Sequence, residues 1–241
     1  PIRCADVAWR VFARAKKEDV KRAITALARH PRGIVHISVP ASDLHIRVKL
    51  GATRADILVM AADATRRALD AGFAVEIGAE DATRADRSFL ADMAADLVEC
   101  GATAFNVADT LGIALPESMG NLVSFVSRAH PAFRDGRASL SVHCHNDSGL
   151  ALANTLAAIR AGATQVEVTA LGIGERAGNA ALEELAFVIA AHKEDYPVRC
   201  LLAPTEAQNA ARVVAALAGT ALSPLKPITG TVSGAHASGI H

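Results

Sequence analysis

Two histidines one residue apart, His143 and His145, stand in Ser141-Val-His-Cys-His-Asn-Asp-Ser-Gly-Leu150. On a β-strand, alternate side chains share a face, so both imidazoles are offered to one ligand. The arrangement suits a divalent metal with open positions for a substrate; the plainer reading is two strand histidines hydrogen-bonded to their neighbours. Two imidazoles rarely complete a site, so further ligands are expected at neighbouring strand ends. The best local donor is Asn179, in Gly172-Ile-Gly-Glu-Arg-Ala-Gly-Asn179. The same stretch partly matches the G-x-G-x-x-A dinucleotide fingerprint, which would make the chain a nucleotide-dependent oxidoreductase. Glu175, however, would set a carboxylate where a pyrophosphate belongs. A loop organised by Glu175 and Arg176 to position Asn179 uses more of its residues.

Other side chains admit two readings each. Glu76 and Glu80 bracket a strand end, where Glu80 could simply cap a helix. Thr110, in Asn106-Val-Ala-Asp-Thr-Leu-Gly112, could be a turn hydroxyl. His36 sits alone on an apolar strand, as core histidines do. His236 and His241 fall in a glycine-rich tail.

The elements that must carry these groups alternate regularly. Strands are expected at Asp6 to Ala13, Ile34 to Val39, Phe73 to Gly78, Ala104 to Ala108, Ala138 to His143 and Gln165 to Thr169, with a helix after each. Such βα units build a parallel sheet. Six strands suffice for a doubly wound sheet, whereas a TIM barrel needs eight in about 250 residues. Against that count, nearly every strand ends in polar side chains, including Ser42-Asp43, Glu80-Asp81 and Asp109-Thr110, and a barrel gathers all such ends at one mouth. Beyond a helix near Thr205 to Leu217, residues Ser223 to Gly239 read as a linker.

Composition narrows the function. The 241 residues carry 25 basic and 25 acidic side chains, so no global field recruits nucleic acid or an anionic membrane. No apolar run approaches the roughly 18 residues of a membrane span. Cys4, Cys100, Cys144 and Cys200 are scattered, which fits reduced thiols in a cytoplasm. The chain opens on Pro1 and closes on His241 within a loop-like segment, as an internal piece of a longer polypeptide would.

His143-Cys-His-Asn-Asp147 together with Gly172-Ile-Gly-Glu-Arg-Ala-Gly-Asn179 resembles the acetyl-CoA-condensing enzymes of the 2-isopropylmalate synthase and homocitrate synthase family. The likeness runs over nearly the whole chain. Residues Val35 to Leu50 and Gly78-Ala-Glu-Asp-Ala-Thr-Arg84 look closest to the homocitrate synthases of nitrogen-fixing bacteria.

The resemblance implies a TIM barrel that binds Mg²⁺ or Mn²⁺, or else Zn²⁺ or Co²⁺, and condenses acetyl-CoA with a 2-oxo acid. The expected acid is 2-oxoglutarate, with 2-oxoisovalerate or pyruvate as alternatives, and a homodimer is expected. It assigns His143, His145 and Asn179 to the metal, Thr110 and His36 to the substrate, and Glu80 and the tail histidine His241 to catalysis. The family's opening Asp-x-x-Arg strand has no counterpart before Ile34. The expectation is therefore a partial barrel over residues 1–220, about strands 3 to 8, followed by the start of a small subdomain over 221–241. Such a piece would be catalytically impaired or inactive. The arginine that lysine-pathway homocitrate synthases use for a distal carboxylate is replaced by Glu76.

Overall fold

The computed structural model describes residues 7–196, 198 and 200–236. Six strands, β1 (Arg10–Arg14), β2 (Ile34–Pro40), β3 (Ala74–Glu80), β4 (Ala104–Asp109), β5 (Ser139–Cys144) and β6 (Gln165–Glu167), form one sheet in strict sequence order. Every neighbouring pair is parallel.

The helices between them are α1 (Lys17–Leu27), α2 (Asp43–Leu50), α3 (Arg54–Asp70), α4 (Arg87–Glu99), α5 (Pro116–Ser127), α6 (Ala132–Asp135) and α7 (Ala151–Arg160). Then come α8 (Leu182–Ala191) and α9 (Pro204–Ala218). A doubly wound sheet requires a reversal of strand order, and none occurs among the described residues. The sheet curls instead. Arg10 on β1 donates to Gln165 on β6 at 3.3 Å, and His36 on β2 lies 3.2 Å from Glu167 on β6. This is the TIM-barrel type of fold, present as six of its strands.

Alternation along the strands sorts the residues. Val35, Ile37, Val39, Val75, Ile77, Phe105, Val107, Leu140 and Val142 are fully buried in the layer between sheet and helices. Their alternate neighbours face the other way and are polar or small. Ser38, Gly78, Asn106, Ser141 and Gln165 stand in one register across five strands. Within that layer, Asn106 Nδ2 and Gln165 Nε2 donate to Ser141 Oγ at 2.8 and 3.0 Å.

Four expectations shift. The first strand is Arg10–Arg14 rather than Asp6 to Ala13, and β6 stops at Glu167, with Thr169 making only an isolated bridge to Ala181. Ser42-Asp43, read as a functional strand end, starts the unanticipated helix α2. Ser42 Oγ accepts from His45 N, and Gly51 closes the helix in the left-handed conformation. Pro40 had masked the helix, because proline reads as a terminator while a new N-cap can follow within two residues. The passage read as a linker folds back in its described part: Lys226 pairs with Glu184 at 2.5 Å, and Thr229 is buried.

Candidate metal and active site

A cavity of about 620 Å³ opens inside the curl. His143 is the penultimate residue of β5 and His145 lies just past the strand; their Nε2 atoms are 3.3 Å apart, with rings at 79°. Two nitrogens about 2.1 Å from one ion, at right angles, stand about 3.0 Å apart, so this spacing fits shared coordination. Burial and the neighbouring His143 and Arg176 lower the pKa of His145, favouring the neutral imidazole that binds metals.

Asn179 reaches the same place because the loop after β6 is sewn to the end of β5. His145 and Asn179 bridge each other, Asn146 N donates to Gly178 O at 2.9 Å, and Ala180 N donates to Cys144 O at 3.2 Å. A Cβ on Gly174 would lie 2.2 Å from Asn179 Nδ2, so that glycine makes the room. Asn179 Nδ2 donates to Ile173 O at 3.3 Å, while its Oδ1 is buried without a partner, as is His145 Nδ1. Orphaned buried acceptors are uncommon and call for a reason. Together the nitrogen and oxygen donors fit a divalent cation of the Mg²⁺, Mn²⁺, Zn²⁺ or Co²⁺ kind.

Arg176 fixes the loop. Its backbone is left-handed at φ 56°, and its guanidinium grips Asp147 through two 2.8 Å bonds and Thr110 O through a third. The loop is thus filled by its own side chains, and the dinucleotide reading loses its phosphate cradle. Glu175, 81% exposed, contributes to the cavity wall and lies 3.6 Å from Arg176.

Thr110 faces the cavity, and its Oγ1 accepts from Asp81 N at 2.8 Å, leaving its proton free to donate. Asp81 is buried with φ 63°. Burial would raise its pKa, but bonds from Arg84 and Ser42 outweigh this and lower it. Glu80 caps no helix, since Asp86 is the N-cap of α4. It pairs with Lys49 and lies 3.2 Å from His45 at the cavity rim. His36 is buried with Nε2 over Gly78, where a Cβ would come within 2.3 Å. His241 lies outside the described residues.

Three residues that the sequence left unassigned, Arg10, Gln165 and Glu167, line or underlie the same interior together with Glu76. Glu76, fully buried, is 2.7 Å from Arg10 and accepts from Gln165 at 2.7 Å; burial raises its pKa against the pull of His36 and Arg10. Glu167 lies between His36 and His143. Burial would raise its pKa, but the two histidines outweigh that and hold it at about 2. The readable signal was parity: Gln165 and Glu167 alternate on β6 as Ser141 and His143 do on β5.

A curled parallel sheet with histidines at a strand end defines a barrel of the metal-site class. The HMGL-like family model matches residues 4–214, and the chain belongs to that family. It is 41% identical over 230 residues, 95% of its length, to 2-isopropylmalate synthase 1 of Caldanaerobacter subterraneus subsp. tengcongensis, covering 57% of that protein. It is 44% identical over 230 residues, again 95% of its length, to the putative (R)-citramalate synthase CimA of Methanothermobacter thermautotrophicus, covering 44% of it. The chain thus spans about half the length of the curated relatives it matches. An HMG-CoA lyase of Acinetobacter baumannii, solved with coenzyme A and 3-methylmalate, superposes with a TM-score of 0.75 at 19% identity. The match covers 97% of this chain and 74% of the lyase, and shows the shared fold.

Proposed function

We propose that the polypeptide carrying this chain condenses acetyl-CoA with a 2-oxo acid and releases CoA. The carrying observation is that His143 Nε2, His145 Nε2 and the unpartnered Asn179 Oδ1 line one cavity together with Thr110. Its relatives named as synthases of 2-isopropylmalate and citramalate support the reading. His143, His145 and Asn179 would hold a divalent cation, which when bound supplies Lewis-acid polarisation of a ketone. Thr110 donates its hydroxyl to the substrate carboxylate. A base takes a proton from the acetyl methyl group; the enolate carbon attacks the ketone, and water then cleaves the thioester to CoA and the free acid. Glu80, beside His45, belongs to the carboxylate network at the rim, and His241 is proposed as the acid–base partner. His36 lines the pocket for the acid's side chain.

The charges on the cavity wall choose among 2-oxo acids. Its arginines are both engaged, Arg10 by Glu76 at 2.7 Å and Arg14 by Asp19 at 2.5 Å. Among the described residues no unpaired arginine lines the cavity to meet a distal carboxylate, while Glu167 and Glu175 repel one. The reading therefore moves from 2-oxoglutarate and homocitrate to an acid with an uncharged side chain, 2-oxoisovalerate or pyruvate. A cytoplasmic homodimer, a barrel portion ending near residue 220 and a following subdomain belong to the same proposal. Among the described residues no helix is long and apolar enough to cross a membrane.

Thiol release from acetyl-CoA by the full-length polypeptide, followed over a panel of 2-oxo acids with Mn²⁺ present, tests this. Turnover with 2-oxoisovalerate or pyruvate is expected. Best turnover with 2-oxoglutarate overturns the substrate assignment, and no thiol release with any acid overturns the reaction.

A further inference from the structure

The two oxygens of Glu167 serve different histidines. Oε2 lies 3.0 Å from His143 Nδ1, and Oε1 lies 3.2 Å from His36 Nδ1. The carboxylate is only 23% exposed and sits on β6, the strand next to β5, directly across the register from His143. His143 Nδ1 has no in-line hydrogen-bond partner, so the carboxylate stands close to its N–H direction without being collinear with it. Such bonds are often poorly aligned before ligands bind. The far nitrogen of His143, Nε2, faces His145 Nε2. The far nitrogen of His36, Nε2, rests on Gly78.

His36, Glu76 and Glu167 also form a cluster whose donor atoms lie within 4.8 Å of one another. That cluster already has its cation, because the Arg10 guanidinium is 2.7 Å from Glu76. What remains for Glu167 is orientation. An imidazole that donates from one nitrogen to a carboxylate presents the bare lone pair of the other, and is held in that tautomer.

We propose that Glu167 is a positioning residue that sets two histidines at once. It holds His143 as the Nδ1–H tautomer, with Nε2 bare toward the cavity, and it draws His36 onto Gly78 in the wall of the same cavity. One carboxylate thus links the cation-holding side of the site to the side that meets the substrate. This rests on the metal reading above only for His143; its effect on the tautomers does not.

Glu167→Leu removes both acceptors at similar size, and Glu167→Gln retains one. In the wild-type protein, long-range ¹H–¹⁵N spectra of the histidine rings should show His143 as a single Nδ1–H tautomer. In Glu167→Leu that population should mix, with Mn²⁺ affinity by calorimetry falling about 10- to 100-fold. Glu167→Gln should lie between, and it decides the matter should the leucine variant fail to fold by circular dichroism. Gly78→Ala, whose Cβ would collide with His36 Nε2, should shift the His36 signals and leave Mn²⁺ affinity within twofold.

Unchanged tautomers in both Glu167 variants overturn the proposal, as does a loss of Mn²⁺ affinity in Gly78→Ala as large as in Glu167→Leu. Should His143→Ala bind Mn²⁺ like wild type, the metal reading falls instead, and the tautomer spectra still decide the role of Glu167.

Discussion

The two walls of the cavity differ in balance: each holds buried polar atoms without an in-line partner, Glu76 Oε2 and His45 Nδ1 on one and His143 Nδ1, His145 Nδ1 and Asn179 Oδ1 on the other, but charge pairs dominate the first. Along β1 to β3 and the loop after β3, charges are closed into pairs: Arg10 with Glu76, Arg14 with Asp19, Lys49 with Glu80 and Arg84 with Asp81. Along β5, β6 and the following loop, His145 Nδ1 and Asn179 Oδ1 are buried without partners, and two imidazole nitrogens face each other. Folding satisfies buried polar groups wherever it can, so the open valences mark where a ligand is expected to complete the site. The closed pairs mark the wall that shapes the cavity and sets its charge.

The largest expected effect lies on the open wall. Replacing His143 and His145 together by alanine should weaken Mn²⁺ binding about 1,000-fold, or about 4 kcal/mol, in calorimetric titration. Retained affinity would erase the contrast between the walls.

On the closed wall, Arg10→Met strands the buried Glu76. The expected cost is about 3 kcal/mol in urea denaturation near neutral pH, with Mn²⁺ affinity preserved. The cost should depend on pH. Burial already raises the pKa of Glu76 and Arg10 opposes the rise, so without Arg10 the folded state prefers the neutral acid more strongly. Stability of the variant then falls as pH rises from the range where the unfolded glutamate ionises up through the raised pKa of the folded state, and is restored in acid below both. A cost independent of pH would show that Arg10 acts through packing alone.

A smaller effect is expected at Asn179. Asn179→Ala should reduce Mn²⁺ affinity about tenfold, or about 1.4 kcal/mol; no change would assign the orphaned oxygen to another role. The smallest belongs to Arg176→Lys, which loses the planar two-bond grip on Asp147 while keeping the charge. Affinity should drop about threefold, measured in the same titration, through a looser Asn179 loop.

Much of this was legible in advance, for local reasons. The βα alternation follows from apolar runs broken by glycine and proline, and the His143/His145 pair is legible because a strand's period of two fixes which side chains share a face. Asn179 was readable as a loop donor to the same ion as that pair. Glu76 was legible as a pocket position, whereas Glu167 and Arg10 were not, since each gains its meaning from a partner on a different strand: Glu167 from His36 and His143, and Arg10 from Glu76. Helix α2 was hidden behind Pro40.

The sequence by itself determined the family, the order of strands and the two histidines with their common face, because these depend on residue type and on spacing along one segment. The barrel and the meeting of Asn179 with the histidine pair were implied by the family resemblance; only the tertiary structure decided that β1 reaches β6 through Arg10 and Gln165, that Glu167 stands between His36 and His143, and that the cavity's arginines are already engaged. Those outcomes depend on contacts between segments far apart in the chain, such as Arg10 with Gln165, whose separation no local periodicity encodes.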